Sequence, residues 1–261
     1  MEKMNELIID TQDGVRTLTL NRPERLNAIN DALSKQLEDA LAQASLDDAV
    51  RVVVITGNGR AFCTGLDLTA VPSFDTRHEQ LDDLGWVGRQ ALGIVHCDKP
   101  VIAAINGVAA GAGFSLALAC DLCFMSEDAI VKTGYIHRGL SPDAGMSYFL
   151  PRLVGHARAT EMIFTGRDVN AEEAEQIGLV CNVYSDETFR ESTLDFAEEL
   201  AQGPPIALTL AKRLLVTSSE ADLPTILKQE YASIKTCFGT DDVKEGVQAF
   251  LEKRKPLFRG K

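Results

Sequence analysis

Apolar and polar positions along the first half of the chain predict strands that alternate with helices. "LIID" (7–10) and "VRTLTL" (15–20) predict two strands, and the second has the period-two alternation of a half-buried strand. The stretch 29–45 predicts a helix, because its apolar residues recur on one helical face. These residues are Leu33, Leu37, Ala40, Leu41 and Ala44. "VRVVVITG" (50–57) and "PVIAAING" (100–107) predict buried strands that close at glycine.

The pattern becomes helical in the second half of the chain. Residues 76–96 have an irregular, helix-like pattern, and "FSLALACDLCFM" (114–125) predicts a helix that passes into a strand at Asp121. Further helices are predicted over 158–166, 170–178, 187–202, 205–219, 223–238 and 241–255. Because Pro204 and Pro205 end one helix and start the next, the clearest break lies at "QGPPIA". We expect an α/β core over residues 1–195 and a C-terminal helical region over 196–261.

Charge and composition restrict the partners that the protein can have. The 261-residue chain has a formal net charge of −12, so it lacks the excess of basic residues that nucleic-acid binding requires. A small anionic ligand needs only a local site and stays possible. The N-terminal "MEKMNELIID" has no apolar signal core, and no stretch reaches about 18 apolar residues. We therefore expect a cytoplasmic protein with no membrane partner.

Two cysteines form a C-x-x-C pair, Cys120 and Cys123. No second pair and no suitably spaced histidine accompanies them, as a zinc site would require. Buried cysteines commonly behave as small apolar side chains. We therefore predict no metal site here and interpret both cysteines as core residues.

Two glycine-containing turns follow predicted strands. In the first, Gly57 and Gly59 suggest a dinucleotide-binding fingerprint, but Phe62 stands where the third glycine belongs. The second turn contains Gly111 and Gly113 and precedes a helix, whose first N–H groups are unpaired. One N–H from each turn could hold an oxyanion that forms from a carbonyl. The alternative is that the glycines only permit close packing of helix and strand.

A single acid stands in "GLSPDAGMSYFLPRLVG" (139–155), between a proline and small residues. From the residues alone, Asp143 has two interpretations. An aspartate before an apolar run is a good helix N-cap. It can also be a lone general acid–base group.

Several stretches together resemble the crotonase (enoyl-CoA hydratase/isomerase) superfamily. They are "LNRPERLNAIN", "GNGRAFCTGLDL", "NGVAAGAGFSLALACDL", "FLPRLVGHARATEMIFTG", "AEEAEQIGLV" and "GVQAFLEKRKPLF". They occur in the family's order and cover nearly the whole chain. The resemblance implies an α/β fold, a spiral of ββα units with a C-terminal helical trimerisation region. It also implies a homotrimer or homohexamer that acts on acyl-CoA thioesters, with coenzyme A entering only as part of the substrate.

The same resemblance implies the site residues. The backbone N–H groups of Leu66 and Ala112 would form the oxyanion hole. The residues implied for coenzyme A and substrate binding are Arg25, Leu26, Ala28, Ala61, Thr64, Gly65, Asp67, Leu68, Gly111, Ser115 and Tyr135. For Arg25 and its neighbour Asn27, the alternative is a structural turn after Pro23. The loop 69–90 is expected to cover the acyl group.

The chain departs from the family's hydratases at two positions. Their two catalytic glutamates fall on Ser115 and Tyr135, whose hydroxyl groups are poor general bases at neutral pH. The lone Asp143 instead resembles the phenylacetate-pathway isomerases that act on a ring-1,2-epoxyphenylacetyl thioester. The expected activity is acyl-CoA isomerisation through a thioester enolate, with Asp143 as the single proton shuttle. Packing of Asp143 against residues such as Phe149 is expected to raise its pKa.

Two other functions stay open on the sequence. One is different enolate chemistry on the same scaffold, such as hydration of an enoyl thioester or hydrolysis of a carbon–carbon bond. The other is an acyl-CoA-binding protein without catalysis, because both glutamates are missing. An inward-facing carboxylate at Asp143 would favour an enzyme, and a solvent-facing one would favour the binding protein.

Overall fold

The computed structural model describes residues 5–69 and 76–261, and strands in this part of the chain form two sheets. The strands are β1 (Leu7–Gln12), β2 (Val15–Leu20), β3 (Val52–Gly57), β4 (Ala61–Cys63), β5 (Val101–Ile105), β6 (Val108–Ala110), β7 (Leu122–Ser126), β8 (Ile130–Lys132), β9 (Val169–Asn170) and β10 (Asn182–Tyr184). The larger sheet has the order β1-β2-β3-β5-β7-β10, and the smaller one has the order β4-β6-β8-β9. Pairing is parallel except in β1–β2 and β8–β9.

Helices cover the sheets and form the C-terminal part of the chain. They are α1 (Asp31–Leu46), α2 (Arg77–Leu81), α3 (Gly85–Val95), α4 (Ala112–Leu118), α5 (Met146–Val154), α6 (His156–Thr165), α7 (Ala171–Gln176), α8 (Phe189–Ala201), α9 (Pro205–Ser218), α10 (Leu223–Phe238) and α11 (Asp241–Glu252). Short 3-10 turns span Pro23–Arg25 and Ile136–Arg138. None of the helices described in residues 5–69 and 76–261 combines the length and apolar character needed to cross a membrane.

The central strands are apolar throughout because both faces of the larger sheet are buried. On β3, Val53 and Ile55 pack with the main core, whereas Val52 and Val54 pack with a second cluster that includes Phe189 of α8. Parallel strands covered on both faces characteristically have such continuous apolar runs. This double burial explains why β3 and β5 were recognisable from sequence.

Helix α1 confirms the predicted amphipathic face. The Asn30 side chain caps the helix by accepting a hydrogen bond from the Leu33 N–H at 2.9 Å. All five predicted core residues are buried: Leu33, Leu37, Ala40, Leu41 and Ala44. The helix therefore begins at a polar cap and packs its apolar stripe onto the core, as its periodicity predicts.

The chain continues as one helix across the predicted domain boundary at 195/196. Helix α8 extends to Ala201, and its Ala197 is buried on the sheet. The helical region beyond it is joined to the core by Lys212 of α9, whose ammonium group is buried. The Lys212 Nζ donates to Asp121 Oδ2 at 2.7 Å and to the carbonyl oxygen of Ile94 at 3.0 Å. Residues 70–75 of the predicted cover loop lie outside the described residues.

Candidate active site

Two turns meet where β4 and β6 end. These strands pair in parallel in the smaller sheet, so the residues that follow them emerge at the same edge. Gly65 follows β4 with φ +87°, and Gly111 follows β6 with φ +54°. A Cβ on Gly65 would lie 3.0 Å from the Ala110 oxygen and 3.1 Å from the Ala112 nitrogen. The positive φ and the close approach together explain why glycine occupies position 65.

The two predicted oxyanion donors lie on these adjoining turns. Ile29 pairs with Leu66 in parallel, and it donates to the Gly65 oxygen at 2.7 Å and accepts from the Asp67 N–H at 2.9 Å. In parallel pairing of this kind, the N–H of Leu66 itself points away from Ile29. Ala112 is the first residue of α4, where backbone N–H groups have no partner within the helix. The arrangement therefore places the two N–H groups on adjoining turns.

Other glycines in this region serve packing. A Cβ on Gly107 would lie 2.3 Å from the Arg60 oxygen, and one on Gly113 would lie 2.2 Å from the Cys63 oxygen. Neither glycine has a positive φ, so the requirement is for space alone. The packing interpretation thus holds for Gly107 and Gly113, whereas Gly65 and Gly111 shape the turns that present the N–H groups.

Three segments bring a carboxylate and two hydroxyl groups together. The Tyr135 hydroxyl donates to Asp143 Oδ1 at 2.6 Å. The Ser115 Oγ, on α4, lies 3.1 Å from the Tyr135 hydroxyl oxygen and 3.2 Å from the Asp143 backbone oxygen. A Cβ on Gly111 would lie 3.9 Å from the Tyr135 ring, so the ring adjoins the turn that precedes Ala112. The carboxylate is therefore connected to the oxyanion turn through Tyr135.

Burial and hydrogen bonding act in opposite directions on the pKa of Asp143. Ser115 and Tyr135 are buried, whereas Asp143 as a whole residue is exposed. Its carboxyl group nevertheless lies against the buried hydroxyl of Tyr135, and loss of hydration there raises the pKa of Asp143. The hydrogen bond from Tyr135 lowers it in part. Burial, followed by the charge of Asp143 and the hydrogen bond to it, also raises the pKa of Tyr135.

The N-cap interpretation of Asp143 is wrong. Helix α5 begins at Met146, its N-cap is Gly145, and no side chain caps it. The Asp143 backbone oxygen, rather than its carboxylate, accepts from the Met146 N–H at 3.0 Å. Phe149 packs against Gly145, where a Cβ would lie 2.4 Å from its ring. The carboxylate is therefore not used to start the helix.

Two residues near the predicted coenzyme A segment have structural partners. Asp67 is buried and accepts hydrogen bonds from the Thr69 hydroxyl at 2.6 Å and Arg22 at 2.8 Å, which lower its pKa to about 2. The Asn27 side chain is fully buried and donates to the Ala61 oxygen at 2.8 Å. For Asn27 the turn interpretation is therefore correct. Contact of Asp67 and Ala61 with a ligand stays a prediction, although the Asp67 carboxylate and the Ala61 backbone oxygen already accept hydrogen bonds within the protein.

The remaining predicted ligand-binding residues lie on the segment after Pro23 and on the turn after β4. Arg25 and Leu68 are exposed, and Ala28 is buried. The Leu26 backbone, at φ +51°, accepts from the Thr64 N–H at 3.2 Å and connects the segment after Pro23 to the first glycine turn. Their contacts with coenzyme A stay predictions. Among residues 5–69 and 76–261, no group of three or more His, Cys, Asp or Glu side chains is placed to hold a metal ion.

Sequence reasoning missed two features of the site. It assigned Ser115 and Tyr135 to the pocket, but it did not predict the hydrogen bonds that join them to Asp143. It also did not single out Arg22, which braces Asp67. Arg22 is the first arginine of "LNRPER" and stands next to the predicted coenzyme A segment. This proximity is the one signal in the sequence that could have identified it.

Comparisons with known proteins identify the family to which the chain belongs. The sequence profile of the enoyl-CoA hydratase/isomerase family matches residues 10–261. The chain is 40% identical to 2,3-dehydroadipyl-CoA hydratase of Escherichia coli K12, over 99% of this chain and all of that protein. It is 38% identical to 1,2-epoxyphenylacetyl-CoA isomerase of the same strain, with the same coverage. The crystal structure of an enoyl-CoA hydratase from Bacillus anthracis superposes with a TM-score of 0.90 at 36% identity, covering 98% of this chain and all of that one. The chain therefore belongs to the enoyl-CoA hydratase/isomerase family, within the crotonase superfamily.

Proposed function

We propose that this family member is an acyl-CoA isomerase in which Asp143 is the single proton shuttle. The observation that carries the proposal is the 2.6 Å hydrogen bond from Tyr135 to Asp143. It holds a carboxylate with a raised pKa beside the turn that presents the Ala112 N–H. Coenzyme A enters as part of the substrate thioester, and the reaction requires no separate cofactor.

The reaction follows from the two parts of the site. The thioester oxygen accepts hydrogen bonds from the N–H groups of Leu66 and Ala112, which stabilise the negative charge of an enolate. The Asp143 carboxylate removes a proton from one carbon, and the electrons of the broken C–H bond move into the conjugated enolate. The protonated Asp143 then returns this proton to a different carbon. Atoms and charge balance, and water does not enter.

The environment of Asp143 suits both halves of this cycle. An ordinary aspartic acid has a pKa near 4 and holds a proton weakly at neutral pH. Partial burial raises the pKa of Asp143 and thus reduces the cost of carrying the proton between the two carbons. The hydroxyl groups of Tyr135 and Ser115 occupy the neighbouring positions, and neither is a base at neutral pH.

Hydration of an enoyl-CoA is the second candidate. The observation in its favour is the 40% identity to a 2,3-dehydroadipyl-CoA hydratase, slightly above the 38% identity to the isomerase. In this case Asp143 would have to activate water and protonate the α-carbon by itself. The proposal favours isomerisation, because a 1,3-proton shift needs one carboxylate that acts first as a base and then as an acid.

A product screen distinguishes these functions. A panel of enoyl-CoA and aryl-acetyl-CoA thioesters is incubated with the enzyme in H₂O and in D₂O and followed by mass spectrometry. Isomerisation leaves the product mass unchanged in H₂O and gives a new chromatographic peak, whereas hydration adds one water. Ligand binding without turnover of any thioester would indicate the binding protein. Gain of water with every active thioester would overturn the isomerase proposal.

We also propose that the chain assembles as a homotrimer or a homohexamer. Helix α10 displays exposed large apolar side chains along its length, namely Leu223, Leu227, Tyr231, Ile234 and Phe238. Further exposed apolar residues on neighbouring helices include Leu215, Val247 and Phe250. An apolar surface of this extent favours association, because water contact with it is unfavourable. Two further leucines of α9, Leu208 and Leu214, are half-buried.

A further inference from the structure

We infer that Tyr135 is a positioning residue that holds one carboxylate oxygen of Asp143, so that the other oxygen exchanges the proton with substrate. This inference rests on the proposed isomerase function and concerns the same site. It gives a role to a residue that stands where hydratases of the family carry a glutamate. In this role Tyr135 acts through Asp143 and does not itself exchange a proton with the substrate.

The direction of the hydrogen bonds follows from counting protons. A phenol has one proton to donate, and an ionised carboxylate only accepts. The 2.6 Å contact with Asp143 Oδ1 therefore uses the Tyr135 proton. The single Ser115 proton can go to the Tyr135 oxygen at 3.1 Å or to the backbone oxygens of Asp143 and Gly111 at 3.2 and 3.3 Å. Whichever of these accepts it, the Tyr135 proton is directed to a single carboxylate oxygen of Asp143.

Packing of the Tyr135 ring fixes the position of the hydroxyl that donates to Asp143. Tyr135 is buried, and its ring lies beside Gly111, the residue before Ala112. Asp143 itself is in a loop, and the next two residues, Ala144 and Gly145, have positive φ values. Rotation of a carboxylate about its last side-chain torsion is soft. The hydrogen bond restricts this rotation relative to the oxyanion turn.

A proton shuttle requires a carboxylate whose orientation is fixed. The same carboxyl group must reach one carbon to remove the proton and another to return it. Misplacement of a reacting group by about 1 Å can cost on the order of 100-fold in rate. Binding of the thioester oxygen by the N–H groups of Leu66 and Ala112 does not use the Tyr135 hydroxyl, and a phenylalanine ring keeps the packing beside Gly111. Loss of the hydroxyl should therefore reduce turnover more than affinity.

The pKa of Asp143 provides a test of the Tyr135 hydrogen bond. In the described part of the chain, the ionisable side chain that acts on Asp143 is Tyr135, while α4 contributes the Ser115 hydroxyl to its backbone oxygen. The Tyr135 hydrogen bond stabilises the ionised carboxylate and lowers its pKa against the effect of burial. Removing the hydroxyl should raise the pKa of Asp143.

The test compares Tyr135→Phe with wild-type enzyme on the best substrate of the product screen. We expect kcat to fall about 10- to 100-fold, with KM changed by less than about threefold. The acid limb of the kcat/KM profile should move to higher pH, because it reports the ionisation of the free enzyme's base. Tyr184→Phe is the matched control, since Tyr184 lies on β10 and its hydroxyl accepts a long contact, 3.4 Å, from Asn182. It should leave the rate and the profile unchanged.

A second experiment does not depend on the stability of Tyr135→Phe. Protein with 3-fluorotyrosine in place of its 4 tyrosines keeps the hydroxyl group but makes it a stronger donor. The acid limb should then move to lower pH, opposite to the effect of Tyr135→Phe. An unchanged profile in both proteins would overturn the inference.

The failure of this inference is separable from the failure of the proposed function. If Asp143→Asn is inactive while Tyr135→Phe has the wild-type rate and pH profile, only the role of Tyr135 is wrong. If Asp143→Asn stays active, the proposed function is wrong. Because Tyr135 acts through Asp143, the double variant should be no less active than Asp143→Asn alone.

Discussion

The backbone nitrogen of Ala112 lies 3.1 Å from the position that a Cβ atom on Gly65 would occupy. Gly65 precedes Leu66, and Ala112 begins α4, so this proximity brings the two predicted oxyanion donors onto adjoining turns. The parallel pairing of β4 and β6 produces it. The predicted oxyanion hole therefore depends on a strand pairing in the smaller sheet as well as on the residues of the turns.

Gly65→Ala should impair catalysis more than it impairs folding. The added methyl group would crowd the Ala112 nitrogen and the Ala110 oxygen, and it would favour a different φ. We expect kcat to fall by about 10-fold or more, because removal of one oxyanion donor elsewhere costs about 100- to 1000-fold. The measurements are steady-state kinetics and thermal unfolding.

Gly178→Ala is the control for Gly65→Ala. Gly178 has a similar φ of +73°, but a Cβ there meets no atom within 4 Å. Both variants should lose about 1 to 3 kcal/mol of folding free energy through backbone strain. Only Gly65→Ala should lose activity. Equal activity in the two variants would argue against the oxyanion role of this turn.

Asp143→Asn should abolish isomerisation and leave ligand affinity nearly intact. The amide has almost the same size as the carboxylate but cannot carry the proton between two carbons. We expect turnover to fall by about 100- to 10,000-fold, the range for general acid–base catalysis. Because the Asp143 side chain caps no helix, the unfolding temperature should change little. A variant with full activity would remove Asp143 from the mechanism.

Ser115→Ala should have a smaller effect than Asp143→Asn. Ser115 contacts the Tyr135 hydroxyl and the Asp143 backbone oxygen, and it makes no bond to the carboxylate oxygens. The Tyr135–Asp143 bond should survive its loss, so we expect kcat to fall by less than about fivefold. A loss as large as that of Asp143→Asn would instead assign Ser115 a direct part in proton transfer.

The protein should bind coenzyme A thioesters and should not bind nicotinamide nucleotides. Its two turns are predicted to present single N–H groups to a carbonyl oxygen, and Phe62 stands where the dinucleotide fingerprint requires a third glycine. Titration calorimetry with acetyl-CoA and with NAD measures the affinity for each ligand. Tight binding of NAD with no response to acetyl-CoA would contradict the assignment of this site.

The exposed apolar side chains of α10 should lie in a subunit interface. Sedimentation velocity at micromolar concentration should show trimers or hexamers of the wild-type chain. Leu227→Asp should shift the distribution toward monomer, because a charge in an apolar interface is costly. Leu46→Asp is the control, since Leu46 is an exposed leucine at the end of α1. A wild-type chain that sediments only as a monomer would contradict the assembly.

The stability contributed by Asp67 should disappear in acid. Hydrogen bonds from Thr69, and then from Arg22, lower its folded pKa to about 2, below the value near 4 of an unfolded chain. A lowered folded pKa means that the stabilisation is complete above about pH 4 and declines toward about pH 2. The unfolding free-energy difference between wild type and Asp67→Asn should therefore shrink over this range. A free-energy difference that stays constant between about pH 4 and about pH 2 would contradict the lowered pKa of Asp67.

The sequence by itself determined the elements whose burial leaves a periodic or continuous apolar signal. Strands β2, β3 and β5 and helix α1 were predictable because their apolar residues pack on the core along their whole length. Strands β4, β6 and β8 were not predicted, since each has three residues and no period can be read from so short a run. The family motifs located the turns to which the oxyanion donors are assigned, although the strand pairing that joins those turns was not visible in the sequence.

The tertiary structure decided which groups Asp143 contacts. Its flanking residues fitted a helix cap and a catalytic acid equally well, because both need a carboxylate before an apolar run. Only folding brings it to Tyr135 and Ser115, which are 8 and 28 residues away in the chain. Hydrogen bonding and burial depend on such distant contacts, so local sequence cannot set the direction of the carboxylate or its pKa. Residue identities along the chain thus determined the available chemistry, and packing decided which atoms meet.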